Sequence, residues 1–376
     1  MKKLTVVQIL PALESGGVER GTLEVGRYLV QNGHRSIVIS AGGRMVEQLR
    51  REGSEHIAWD VGAKSLWSLR FVPRLRRFLR DNQVDILHAR SRMPAWLAWL
   101  AWRGMEPIHR PRFVTTVHGL YSVNAYSAIM VRGERVIAVS RTVRRYILEN
   151  YPRVDPARIE VIFRGVDPSE FPHGYRPSDK WLSAWRTQYP QLIGKRVLLL
   201  PGRITRLKGH EDFIRLVVAL KAVGKPVHGL IVGGAHPQKR AYLEEIIAKV
   251  KAAGLEDDIT LTGQRSDLKE IMTVSDLVLS LSTKPESFGR TTLEALSLDI
   301  PVAGYNHGGV GELLKELYPQ GCVALGDRDG LIRVVTDLLE QVNFPIPINP
   351  YTLQRMSQDT EKLYLRLAEF IGGGES

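Results

Sequence analysis

Short runs of Val, Ile and Leu alternate with helix-length amphipathic stretches along the chain. In the first half the apolar runs cover 4–10, 36–40, 57–61, 85–89, 113–118, 135–140 and 159–163. Most lack an in-and-out alternation of polar residues, so they read as strands buried on both faces, as in a parallel sheet. Helical periodicity over 18–31, 71–81 and 142–149 separates them, which predicts βαβ alternation and a doubly wound α/β sheet. The alternation lapses over 164–195, where Pro168, Pro172, Pro177, Pro190 and several glycines mark an inter-domain connection. It resumes at 196–201 and continues through 228–233, 259–263, 277–282, 301–305 and 322–325, with helices between, one of them over 268–276. A Pro-rich crossing, FPIPINP at 344–350, leads into one amphipathic helix over 351–370. The expectation is two similar α/β units in tandem, 1–168 and 169–350.

Length and composition agree with that reading. A chain of 376 residues accommodates two or three domains, and 44% hydrophobic with 24% charged residues is ordinary for a soluble globular protein. The single cysteine, Cys322, excludes a disulfide framework and a cysteine-built zinc site. The apolar run near the N-terminus is too short for a signal peptide. The most apolar long stretch, 94–102, is far below the roughly 20 residues of a spanning helix. Charge changes the picture more. Residues 1–170 hold 27 basic and 16 acidic residues, a net of +11, whereas the whole chain is +12. The first half therefore calls for an anionic partner: nucleic acid, a membrane surface or a phosphorylated substrate.

Open α/β sheets bind ligands outside the carboxyl ends of their strands, so candidate chemistry is sought in the strand-to-helix turns. Five groups stand there. Gly16-Gly17, after the first strand, lets backbone amides approach an oxyanion beside a helix N-terminus. Gly202-Arg203 and Lys208-Gly209 follow the first strand of the second unit; two cations there suit a diphosphate. In Glu286-Ser-Phe-Gly-Arg-Thr-Thr-Leu-Glu294, the first carboxylate lies in a loop and the second about one turn into a helix. Both can accept sugar or ribose hydroxyls, while the amides of Phe288, Gly289, Arg290 and Thr291 suit a phosphate. His118-Gly119 ends a strand, where a histidine can orient or polarise a substrate hydroxyl. His307-Gly308-Gly309 is a further glycine turn able to pack near a ligand.

Taken together, these groups resemble the retaining glycosyltransferases of family 4, which have the GT-B fold. Glu286…Glu294 matches the family's E-x7-E signature. Gly202-Arg203, Lys208-Gly209, Gly263, Gly308-Gly309, Gly16-Gly17, His118-Gly119, Ser140 and Gly165-Val166-Asp167 fall in the family's order. The resemblance implies two Rossmann-like domains facing a central cleft: an acceptor-binding domain at 1–168, with 351–376 packing back on it, and a donor-binding domain at 169–350. It further implies that Arg203 and Lys208 clamp the donor diphosphate and that Gly16 and Gly17 contact it or admit the sugar. Glu286 would hold donor-sugar hydroxyls, Glu294 the ribose, and His118 would stand beside the reacting sugar. No metal and no cofactor is expected, the nucleotide sugar being a substrate. Two positions depart from the pattern: Arg164 stands where many members have Asn, and Asp299 where a glycine is usual.

The resemblance places the basic excess on the acceptor side. Two stretches concentrate it: 64–80, with six basic residues and no acid, and 90–112, with five arginines interleaved with Trp96, Trp99 and Trp102. Amphipathic basic helices with Trp suit anionic lipid interfaces. The sequence-level expectation is a cytoplasmic enzyme, peripheral on the inner membrane face. It would move a sugar from a nucleoside-diphosphate sugar to a lipid-linked or anionic saccharide, such as a lipopolysaccharide core, in lipopolysaccharide or surface-polysaccharide assembly. A sugar-nucleotide epimerase of the same fold and a non-catalytic nucleic-acid-binding protein are the alternatives; no nucleic-acid motif supports the latter.

Overall fold

In the computed structural model, residues 2–14, 16–235, 240–340 and 345–369 are described. Ser15, Phe344 and the end of the expected C-terminal segment, 370–376, lie outside them. The first unit comprises residues 1–164 and 353–376. Its elements are β1 (Thr5–Ile9), α1 (Gly17–Gln31), β2 (Arg35–Ser40), α2 (Val46–Arg51), β3 (Glu55–Ala58), α3 (Phe71–Asp81), β4 (Ile86–Ala89), α4 (Arg92–Arg103), β5 (Arg112–Val117), β6 (Arg135–Ala138), α5 (Arg141–Asn150) and β7 (Ile159–Val161). The second unit, Gly165–Thr352, comprises α6 (Asp179–Gln188), β8 (Arg196–Pro201), α7 (His210–Ala222), β9 (Val227–Val232), α8 (Arg240–Ala252), β10 (Ile259–Gly263), α9 (Leu268–Thr273), β11 (Leu277–Ser280), α10 (Arg290–Ser297), β12 (Val302–Tyr305), α11 (Gly308–Leu317), β13 (Cys322–Val323) and α12 (Arg328–Glu340). The final helix, α13 (Leu353–Glu369), returns to the first unit.

Both sheets are wholly parallel. The first has the order β3-β2-β1-β4-β5-β6-β7 and the second β10-β9-β8-β11-β12-β13. Central strands such as β4 and β9 are buried at every position, because helices cover both faces. In each sheet the order reverses at one place, between β1 and β4 and between β8 and β11. At such a reversal in an open α/β sheet ligands bind beyond the strand ends, which is where the site is sought.

Three departures from the sequence reading have physical causes. The strand expected at 57–61 is β3, which starts two residues earlier with Glu55 and His56. It is an edge strand, so polar residues are tolerated where an apolar run was sought. The stretch read as a connection holds α6, capped by the Ser178 hydroxyl accepting from Trp181 N–H, with Trp181 stacked on Trp185 at 5.1 Å. Leu69, Val72, Leu75, Phe78 and Leu79 recur at helical spacing and read as one apolar face, but the buried residues of α3 are Phe71, Leu75 and Leu79, and Leu69 lies outside the helix in a short 3-10 turn and is exposed. Asp299 has φ +69°, the left-handed backbone region in which glycine carries no strain.

α13 seals the first sheet. Leu353, Met356, Leu363, Tyr364 and Leu367 join Leu4, Val6, Ile86 and Val114 in one cluster. The Tyr364 hydroxyl and His88 Nδ1 are 2.5 Å apart, and His34 Nε2 and Glu361 Oε1 2.9 Å.

Candidate active site

In the second unit, three loops meet at the strand ends. The loop after β8 ends at Lys208, and the loop after β11 carries Ser282 and Glu286. Although 78 residues separate Lys208 from Glu286, their strands are neighbours, and Lys208 Nζ donates to Glu286 Oε1 at 2.6 Å. Ser282 Oγ donates to the same oxygen at 2.5 Å. The second oxygen, Oε2, receives no hydrogen bond from the chain among the described residues, so it is the one available to a ligand hydroxyl. Burial alone would raise the Glu286 pKa. The Lys208 charge and the two hydrogen bonds outweigh it and hold the carboxyl below its ordinary value, hence ionised.

The third loop, after β12, clamps the second. Gly309 N–H donates to Glu286 O at 2.7 Å, and Gly308 bridges Glu286 in parallel. Gly308 has φ +63°, and a Cβ on Gly309 would lie 2.4 Å from Phe288 Cα. Backbone-to-backbone packing within the protein therefore requires glycine at both positions. Phe288 is buried against Tyr351 at 6.3 Å, so only its backbone is a candidate for ligand contact.

Gly289 caps α10 with φ +93° and offers no side-chain acceptor, so the first turn from Arg290 and Thr291 presents N–H groups that lack intrahelical partners. Glu294, buried one turn in, takes Arg290 Nε at 3.2 Å. Arg203 is exposed and makes no side-chain hydrogen bond or ion pair among the described residues.

In the first unit Gly16 and Gly17 open α1 after β1. A Cβ on Gly17 would meet no atom within 4 Å, so packing does not require glycine there. His118, at the end of β5, has its Nδ1 2.5 Å from Arg164 Nη2. Its Nε2 is buried and has no hydrogen-bond partner among the described residues. Burial, followed by the charges of Arg164 and Arg90 and by His88, keeps its pKa well below the ordinary histidine value, so the ring is neutral. Sequence reasoning missed Ser282, although it closes the strand run four residues before Glu286. It noted Arg164 without giving it a partner.

The two basic stretches differ. In α4 the indole N–H groups of Trp96 and Trp102 donate to Tyr126 O and Pro111 O, and Arg132, Arg103 and Arg110 lie over the three Trp rings. Those three tryptophans are half-buried and engaged in these contacts. In the turn before α3, by contrast, Leu66 is 85% and Trp67 77% exposed. No helix among the described residues is long and apolar enough to cross a membrane.

Comparison with known proteins follows the same division. Residues 15–170 match the family model described as Glycosyltransferase Family 4, and residues 184–352 the one described as Glycosyl transferases group 1. A Rickettsia africae glycosyltransferase superposes with a TM-score of 0.86 at 28% identity, over 98% of this chain and 99% of its own. Anabaena HepE in complex with UDP and glucose superposes with a TM-score of 0.78 at 20% identity, over 98% and 100%. N-acetyl-α-D-glucosaminyl L-malate synthase of Bacillus anthracis is 23% identical over 90% of this chain and 88% of its own. The fold and the matched regions define a glycosyltransferase of the GT-B fold. The chain belongs to glycosyltransferase family 4.

Proposed function

We propose that this enzyme transfers a sugar, with retention and without a resident metal, from a nucleoside-diphosphate sugar to an anionic saccharide acceptor. UDP-sugars are favoured over GDP- or ADP-sugars. Lipid-linked acceptors of lipopolysaccharide or surface-polysaccharide assembly are the class favoured. The observation that carries the reading is Glu286, held ionised by Lys208 and Ser282 with one oxygen left for a hydroxyl.

In this reading Arg203, Lys208 and the amides of Phe288, Gly289, Arg290 and Thr291 stabilise the leaving diphosphate as the bond from the anomeric carbon to its oxygen breaks. The bonding pair leaves with the diphosphate. The acceptor hydroxyl oxygen forms the new bond on the same face, and its proton passes to the departing phosphate oxygen. Glu286 holds the donor-sugar hydroxyls and Glu294 the ribose. Gly16 and Gly17 leave room beside the diphosphate, and His118 hydrogen-bonds a substrate hydroxyl. UDP in the Anabaena structure supports the donor class. Malate in the name of the Bacillus anthracis relative supports an anionic acceptor. So does Arg92, which opens α4 at a strand end with no acid in that first turn. A cation there adds to the positive helix end, an arrangement that an anion relieves.

Titration with UDP, GDP, ADP and CMP sugars, followed by thermal unfolding, tests the donor. Stabilisation by at least one is expected, and stabilisation by none overturns the reading. Glu294→Ala should weaken nucleotide binding by about 10- to 100-fold, the worth of a hydrogen bond to a charged group. Calorimetry giving an unchanged affinity removes its ribose role.

The enzyme is further proposed to act in the cytoplasm, attached to the inner membrane face through 64–80. The exposed Leu66 and Trp67 beside the cations of α3 support this. Flotation with anionic but not neutral liposomes is expected, and loss of flotation in the L66S/W67S double variant. Absence from both liposome types sinks the attachment.

A further inference from the structure

Arg164 occupies the position where the family pattern has asparagine, and its guanidinium donates through Nη2 to His118 Nδ1. A guanidinium has five N–H donors and no acceptor, so Nδ1 must be the lone-pair nitrogen of the ring. A neutral imidazole with its lone pair on Nδ1 carries its proton on Nε2. That nitrogen is buried and has no hydrogen-bond partner among the described residues.

We infer that Arg164 is a positioning residue that fixes His118 in the Nε2–H form, making it a hydrogen-bond donor to the substrate and unavailable as a base. This rests on the reading above, in which His118 meets a substrate hydroxyl. With Nε2 protonated and Nδ1 turned to Arg164, neither nitrogen can take the acceptor proton. The departing diphosphate is then left as its destination.

The surroundings hold this arrangement from every side. From β4 and its end come His88 and Arg90. Arg90 is 2% exposed, is pushed down to about 10 chiefly by burial, and still carries its charge at neutral pH. Its Nη1 donates to Gln8 Oε1 at 2.6 Å, and Glu24 of α1 offsets its charge. From the loop after β5, the Tyr121 hydroxyl accepts His118's own backbone N–H at 3.3 Å, with Arg92 over the Tyr121 ring at 4.8 Å. From α1, a Cβ on Gly21 would lie 2.5 Å from Arg164 Nη1, so only glycine leaves the guanidinium its place. From α13, Met356 Sδ lies 3.6 Å from the same Nη1. Two arginines thus face the ring, and both disfavour a third positive charge on it.

The test compares wild type, Arg164→Met, Arg164→Lys and His118→Ala. Nitrogen-15 chemical shifts of the His118 ring report tautomer and protonation without reference to activity. Wild type should show Nε2–H alone, with no protonation limb between pH 6 and 9. Arg164→Met should populate the Nδ1–H form, move the acid limb of kcat upward, and lower kcat about ten-fold or more with a smaller change in donor KM, as for a lost orienting contact. Arg164→Lys keeps charge and a donor and should restore the Nε2–H form and most of kcat; should Arg164→Met not fold, its comparison with His118→Ala decides. An unchanged tautomer and an unchanged pH profile in Arg164→Met, or a wild-type protein with its proton on Nδ1, overturn the inference. Full activity in His118→Ala instead overturns the role of His118 itself, so the two failures are distinguishable.

Discussion

Glu286→Gln is expected to lower kcat by about 100- to 1,000-fold, the range seen when one preorganised polar contact to a transition state is removed. Glutamine keeps the length and shape of the side chain but loses the charge. In the native loop Lys208 Nζ and Ser282 Oγ both point at Oε1, which makes that oxygen the anchor and leaves Oε2 for the substrate. A neutral amide gives weaker acceptance to a sugar hydroxyl and leaves Lys208 half-buried without its counter-charge. The nucleotide affinity should change less, because Glu294 and the α10 end are untouched. Steady-state kinetics at saturating donor, with thermal unfolding alongside, checks this; a kcat equal to wild type removes Glu286 from the reacting site. The pH dependence has a defined sign. Because the folded-state pKa lies below the ordinary 4.5, the ionised contact contributes to stability above that value and is lost as pH falls through the lowered pKa. No acid limb from this group is therefore expected in the neutral range.

Gly309→Ala should damage the second unit's site strongly. Its Cβ would sit 2.4 Å from Phe288 Cα and 2.6 Å from Phe288 N and O. All are backbone atoms, so no side chain can rotate aside. The strand-like bridge between Gly308 and Glu286 must then part, and the loop that aims Glu286 shifts with it. Overpacking of this kind costs about 1–3 kcal/mol. The loss of donor binding should exceed what that instability predicts, because the clamp sets the position of Glu286 and the α10 end. Melting temperature and donor affinity measured together check the claim. Native values for both would show that the three loops are not clamped through this contact.

Much of the fold was legible because parallel strands buried on both faces leave continuous Val- and Ile-rich runs, and because α3, α5 and α13 keep a clear helical period. β3 and α6 were obscured for opposite reasons. An edge strand needs no apolar run, and prolines on both sides of α6 drew the eye from its Ser178 cap and its Trp181–Trp185 spacing. In the site, Glu286 and Glu294 stood out through their spacing and the turn between them. The Lys208–Glu286 and Arg164–His118 contacts did not. The first joins residues 78 positions apart through the neighbouring strands β8 and β11, the second residues 46 apart beyond the ends of β5 and β7, which flank β6, and no local period encodes such a pairing. The glycines at 308 and 309 were visible as a turn, but their purpose, backbone against backbone, emerges only in three dimensions.

The chain leaves the first unit at Arg164 and re-enters it at Leu353, and the two crossings run side by side, with Val166 N–H donating to Tyr351 O at 3.1 Å. Topologically, the second unit is an insertion into the first. During synthesis its entire sequence emerges before α13 does. Tyr364 reaches His88, and Glu361 reaches His34, only once the last helix is free of the ribosome. The first unit, whose strands precede the second unit, is thus closed only after it, and the face of its sheet between Leu4 and Val114 stays uncovered until the seventeen-residue α13 arrives.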